Sequence, residues 1–175
     1  MNLTAVALWA WLPLGLAACA PALNWRDVRW AEADVMLQFP CKPDVVSRQV
    51  PLAGRQVRMS LSSCQADGIT FALSHAEFAT TEEASLALAS LRDAARSHLG
   101  GEAQQMPMVA VPGMAQHPGS QRWRVRAQRP GGAGELQQQV LLFTRGARVY
   151  QATLMAERPR DDAADTFFAS LRLPH

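Results

Sequence analysis

Between positions 35 and 156 the chain is a succession of runs in period two, separated by turn signals and interrupted by a single stretch in helical period. The clearest run covers 56–64, where Val57, Met59 and Leu61 alternate with Arg58, Ser60 and Ser62, so that one face of a strand turns inward and the other outward. The same reading gives strands at 35–39, 46–52, 69–78, 105–111, 121–128, 136–144 and 148–156. Leu52-Ala53-Gly54-Arg55, Asp67-Gly68 and Arg145-Gly146-Ala147 supply tight turns between neighbouring runs. The helical stretch opens on Thr80 with Glu83 three residues on, the spacing of a capping box. Ala84, Leu88, Leu91, Ala95 and Leu99 recur on one face, with Arg92 and Arg96 on another, and Gly100-Gly101 stops it. A second helix starts near Asp161 and Asp162, whose charge suits a helix N-terminus, and carries Phe167, Phe168 and Leu171 inward. These elements predict one α+β domain over 31–175, a largely antiparallel sheet packed with one long central helix and one C-terminal helix. There is no internal repeat, and the one biased segment is the Gly-rich turn at 130–134.

The start of the chain is different in kind. Residues 3–18 are apolar, with Trp9, Trp11 and Leu12 in the middle and small residues at the end, too short for a transmembrane helix and patterned like a secretory leader. No Lys or Arg precedes the apolar stretch, which departs from the usual leader. Leu16-Ala17-Ala18-Cys19 resembles the lipobox of bacterial lipoproteins. The resemblance implies that 1–18 is removed, that Cys19 carries lipid, and that 19–30 is an anchor and tether. Ala20, where an aspartate would signal inner-membrane retention, implies an outer-membrane lipoprotein facing the periplasm. The competing reading is an ordinary leader cut near Ala20, with Cys19 lost.

With Cys19 set aside, Cys41 and Cys64 form a pair in an oxidising compartment, and a disulfide is the natural reading. Pairing outward from the turn at 52–55 sets Cys64 opposite position 43, two residues from Cys41. A redox or metal-binding thiol pair is the alternative, without a Cys-x-x-Cys spacing or a nearby His to support it. A 49% hydrophobic and 18% charged composition suits a globular body, and a formal charge of +2 lacks the concentrated basic field that nucleic acid requires.

Phe39-Pro40-Cys41-Lys42-Pro43 after the first strand, Thr81-Glu82-Glu83-Ala84 opening the helix, and Phe167-Phe168-Ala169-Ser170-Leu171 after a strand containing Val149-Tyr150 resemble the PsbP-like fold of small exported bacterial proteins. That resemblance implies architecture and no particular chemistry.

Three groups of residues invite a functional reading. Met106, Met108, Met114 and His117 offer thioether and imidazole ligands of the kind soft Cu(I) prefers, although Met106 and Met108 at alternate strand positions also read as core fillers. Arg122, Arg124 and Arg126 alternate with Trp123, Val125 and Ala127; the basic row is either a site for an anionic ligand, helped by Arg145 and Arg148, or a solvated sheet face. His75, His98, His117 and His175 are scattered, with no nucleophile elbow, zinc-protease motif or phosphate loop. Trp25 and Trp30 fit either a membrane interface or packing under the sheet, and packing is the reading preferred for Trp30. No motif implies a cofactor. The sequence therefore points to a non-enzymatic module, held to the membrane by its N-terminal lipid, that binds an envelope protein or small ligand through its sheet or the 112–120 loop. A copper-handling protein and an envelope hydrolase are the alternatives.

Overall fold

The computed structural model describes residues 22–97, 100–128, 134–158 and 160–174. The proposed leader, Cys19, His98, Leu99, residues 130–133 of the Gly-rich turn and His175 lie outside them. The described chain runs β1 (Arg26–Trp30), β2 (Val35–Phe39), β3 (Asp44–Leu52), β4 (Arg55–Ala66), β5 (Ile69–Glu77), α1 (Thr81–Ser97), β6 (Glu102–Met106), β7 (Gln121–Gln128), β8 (Glu135–Arg145), β9 (Arg148–Ala156) and α2 (Asp161–Ala169). It is an α+β arrangement: a seven-stranded antiparallel sheet in the order β3-β4-β5-β9-β8-β7-β6, a two-stranded β1-β2 hairpin, and two helices.

Local chemistry sets the corners. Ala53 and Gly54 take φ of 50° and 77°, and Asp67 and Gly68 take 51° and 71°, so both two-residue hairpin loops have the left-handed pair that matches strand twist. At the start of α1 the Thr80 Oγ1 accepts the Glu83 N–H at 3.2 Å, one half of the capping box. The Glu83 carboxylate closes the other half on the Ala79 N–H, one residue before the expected one, and also pairs with Arg55. Gly101 lies so close to β7 that a Cβ there would stand 1.9 Å from the Arg126 carbonyl oxygen, which leaves the position to glycine.

Both faces of the sheet are covered at its centre. On one, Phe71, Leu73, Leu141, Phe143, Tyr150 and Leu154 pack under α2 and the β1-β2 hairpin, where Phe167 meets Phe39 and Phe71 edge-on at 5.4 and 5.3 Å between ring centroids. On the other, Val57, Ala76, Phe78, Val140, Leu142 and Val149 pack under α1 through Ala84, Ala87 and Leu88. Covered twice, β8 is buried without a break from Gln137 to Thr144, the continuous pattern of a central strand. The alternation of β4 follows the two faces, yet the outer set is not all solvent-facing, since Ser62 is buried.

Two sequence expectations are corrected. Residues 26–30, read as the end of a tether, form β1 and pair with β2 from Arg26↔Phe39 to Trp30↔Val35. Trp25 and Trp30 both pack on the core, T-shaped against Phe71 and Phe39. The strand expected at 105–111 is instead β6, Glu102–Met106, and it ends where Pro107 has no N–H to continue the ladder.

Cys41 and Cys64 form a disulfide with Cα atoms 6.0 Å apart. The register that brings them together is the expected one, because Asp44 faces Ser63 and the next rung sets Cys64 opposite position 43. The closed loop spans a sequence separation of 23. Replacing both cysteines by alanine is expected to lower unfolding stability by about 3 kcal/mol, read by denaturant titration against the oxidised wild type.

Candidate functional site

Most of the arginine row of β7 does not face solvent. Arg122, Arg124 and Arg126 point to the side that α2 covers, and α2 presents Asp161 and Asp165, one helical turn apart, to the first two. Arg122, only 7% exposed, donates to the Gln139 Oε1 at 2.8 Å and to Asp165 at 3.0 Å and lies 5.0 Å over the Phe168 ring. Arg124 pairs with Asp161, which also accepts from the Gln139 amide at 2.8 Å. The row is thus a sheet-to-helix fastening along most of its length, and Arg126 is the member left exposed. Of the two flanking arginines, Arg145 pairs with Asp34 at 3.1 Å and Arg148 with Glu77 at 2.7 Å. The solvated face expected from alternation is replaced by the underside of α2.

The methionine and histidine window is divided between layers. Met106 is the last residue of β6, Met108 lies beyond the strand and is exposed, and Met114 packs on the α2-side core. His117 turns to the other layer, against α1: its Nε2 is 3.1 Å from Ser85 Oγ and its Nδ1 accepts the Gly119 N–H at 3.0 Å. Both imidazole nitrogens are occupied. Since Nδ1 accepts, Nε2 carries the proton and donates to Ser85, whose hydroxyl donates in turn to the Thr81 carbonyl at 2.8 Å. A Ser–His contact of that polarity fastens a loop to a helix; a nucleophile would need the imidazole to accept from the serine. The rest of the 112–120 loop is pinned as well, by Leu173 N–H to Pro112 O at 2.8 Å and Ala115 N–H to Thr144 O at 2.7 Å.

His75 belongs to a polar row that sequence spacing did not reveal. Register sets Ser60 on one side of it and Tyr150 on the other, with Ser47 beyond, its hydroxyl 2.8 Å from that of Ser60. Tyr150 is 1% exposed and donates its hydroxyl to the Ala33 carbonyl at 2.8 Å, tying the β1-β2 turn to the sheet. Burial, and then the Arg148 guanidinium, hold His75 below the ordinary imidazole value of 6.5, against the opposing pull of Glu32 and Glu77. Burial pushes the Tyr150 phenol up, with Arg148 opposing.

On the α1 side the sheet face is left open toward the β3 edge. The helix runs from the end of β5 to the start of β6 and touches β3, β9, β8 and β7, so it crosses this face obliquely and leaves the Asp44 end of β3 and its neighbours bare. Leu61, 38% exposed, and Val46, 43% exposed, stand opposite each other there, with half-buried Val50 and Met59 beside them. With Arg48 and Ser74 they line a groove of about 250 Å³ whose walls are mostly apolar. Alternation sets Leu61 on the inward face with Val57 and Met59, and it does lie on that face, but the helix does not reach it. Larger clefts of about 440 and 490 Å³ sit at turns, one beside the Asp67–Arg160 ion pair and one beside Gly101 and Arg126, and both are more polar.

No family model and no curated protein matches the chain. A crystal structure from Bacteroides thetaiotaomicron VPI-5482, refined at 1.50 Å resolution, aligns with 81% of this chain at 7% identity and a TM-score of 0.43. The chain spans 45% of that protein's length.

Two measurements test this geometry. Arg122→Ala should destabilise by about 2–3 kcal/mol by leaving a buried amide acceptor unpaired, whereas Asp165→Asn, at an exposed carboxylate, should cost less than about 1 kcal/mol. His75 contributes a pH dependence of defined sign. Its folded value lies below 6.5, so the unfolded chain takes up the proton first as pH falls, and stability drops below about pH 6.5 and levels off beneath the folded value. The slope is at most about 1.4 kcal/mol per pH unit, and His75→Gln should flatten that part of the profile.

Proposed function

We propose that this chain is a lipid-anchored binding module of the Gram-negative envelope, carried on Cys19 in the outer membrane and facing the periplasm. It engages an envelope protein or a small apolar ligand through the open part of its sheet. We assign it a PsbP-like architecture, with α1 as the long central helix. The observation that carries the binding reading is the strip formed by Val46, Val50, Met59 and Leu61, an apolar surface that α1 leaves bare on a sheet whose centre is covered on both faces. The sheet is favoured over the 112–120 loop because that loop's backbone and His117 are already held internally.

The Cys41–Cys64 disulfide accords with an oxidising compartment. No helix among the described residues is long and apolar enough to cross a membrane, so attachment by lipid is the mode this reading adopts. From Cys19 to Ala22 an extended chain reaches at most about 10 Å. A body tethered so closely turns the end that carries Pro40 and the disulfide toward the bilayer.

A photo-crosslinking residue at position 61 of the full chain in intact cells should capture one discrete partner, and the same residue at exposed Leu86 on α1 should not. Adding Val46→Asp should abolish the adduct while shifting the thermal midpoint little, as exposed substitutions do. Cys19→Ala should move the protein from the membrane to the soluble fraction. Equal capture at 61 and 86 would refute the binding surface, and unchanged fractionation would refute the anchor.

A further inference from the structure

Among the described residues the sheet has two free edges, and they differ. β6 is short and polar, whereas β3 extends from Asp44 to Leu52 in unbroken register with β4 and carries Val45, Val46 and Val50. A long regular edge without a bulge is a template for another strand. The direction of its free groups follows from the turn. The two-residue loop at Ala53 and Gly54 makes Leu52 and Arg55 a hydrogen-bonded closing pair, so Val50, Arg48, Val46 and Asp44 address β4. Gln49, Ser47 and Val45 turn their N–H and C=O groups outward. Pro51 falls in the outward set, where its missing N–H leaves the β3-β4 ladder intact.

We propose that this edge pairs with β3 of a second copy of the chain, antiparallel about a two-fold axis at Val46. In that register Val45 and Ser47 of the second copy exchange both backbone hydrogen bonds, and the symmetric pair does the same. Val46 meets Val46 in a close non-hydrogen-bonded rung. Asp44 stands opposite Arg48 of the second copy, twice, on the face that bears the groove. Neither residue has an ion-pair partner among the described residues of its own chain.

The alternative registers compatible with the outward groups lose this complementarity. Centred on Val45, the pairing would set Arg48 against Lys42; centred on Ser47, it would set Asp44 against Val50; centred on Arg48, it would set the two arginines against each other. Like charges directly opposite destabilise a strand pair, and opposite ones stabilise it. The Val46 register also joins the two apolar strips, Val46 and Leu61 of each copy, into one continuous surface across the axis. The pairing uses backbone groups at the edge and does not depend on the binding role proposed above.

The test is a disulfide across the axis. The full chain carrying Val46→Cys, expressed with its own leader and run on a non-reducing gel, should yield a covalent dimer absent from wild type and from Leu86→Cys. In that background Asp44→Arg should cut dimer yield about fivefold by setting like charges opposite, and adding Arg48→Asp should restore it. A dimer yield from position 46 no greater than from position 86 overturns the proposal. So does a double charge exchange that fails to rescue the single one while the monomer melts normally. Because this assay reads only a cross-link between two copies of the chain, its failure leaves the crosslinking result at position 61 to stand or fall separately.

Discussion

The sheet depends on the pairing of β5 with β9. Each of these strands closes a meander, β3-β4-β5 on one side and β6-β7-β8-β9 on the other, and their rungs from Ile69↔Ala156 to Glu77↔Arg148 are what make the two a single sheet. The partners are far apart in sequence, so pairing them carries the entropic cost of closing a long loop. Apolar burial offsets that cost. Phe71 and Leu73 on β5 and Ala152 and Leu154 on β9 lie on one face, all essentially without solvent contact, with Phe167 of α2 set against Phe71. Each large side chain so buried stabilises by roughly 1.5–3 kcal/mol. The Glu77–Arg148 ion pair at the end of the same ladder has an exposed carboxylate and contributes little beside them.

Closing the α2 face uses polar chemistry as well as apolar. Phe167 and Phe168 bring α2 down on the sheet, and the acids on its other positions land on the basic row of β7. This explains why a strand with three arginines can lie beneath a helix at all. Arg122, the most buried, meets an amide, a carboxylate and a ring; Arg124 meets a carboxylate; Arg126, nearest the open end, is exposed. The degree of pairing follows the degree of burial, as the desolvation cost of a guanidinium requires.

Much of the fold was legible because its signals are local. The strands at 35–39, 121–128 and 148–156, the I′ loops, and the disulfide register all follow from alternation and turn chemistry within a few residues. At β7 and at Leu61 the misreadings share one cause, which is that alternation reports two faces without saying what covers each. The β7 arginines looked solvated because α2 lies far along the chain, and Leu61 looked inward because the reach of α1 is set by tertiary packing. β1 was missed since Arg26-Asp27-Val28-Arg29-Trp30 has too few apolar positions to stand out before its pairing with β2 is known. The Ser47–Ser60–His75–Tyr150 row crosses four strands and has no signature along any one of them.

The bare part of the α1-side face is a consequence of topology. A helix that must connect the Glu77 end of β5 to the Glu102 end of β6 crosses the sheet obliquely, and one helix cannot cover seven strands. What topology does not dictate is the composition of the uncovered part. On the inner strands the same face carries Thr70, Ala72 and Ser74 on β5 and Gln151, Thr153 and Met155 on β9, small or polar residues apart from Met155. Toward the β3 edge it carries Val46, Val50, Met59 and Leu61. Were the bare region merely a place that no element reaches, the polar choice would extend to the edge, where an exposed apolar strand carries the greatest risk of unwanted pairing. The change to apolar residues at the edge therefore argues that this surface is built to be covered.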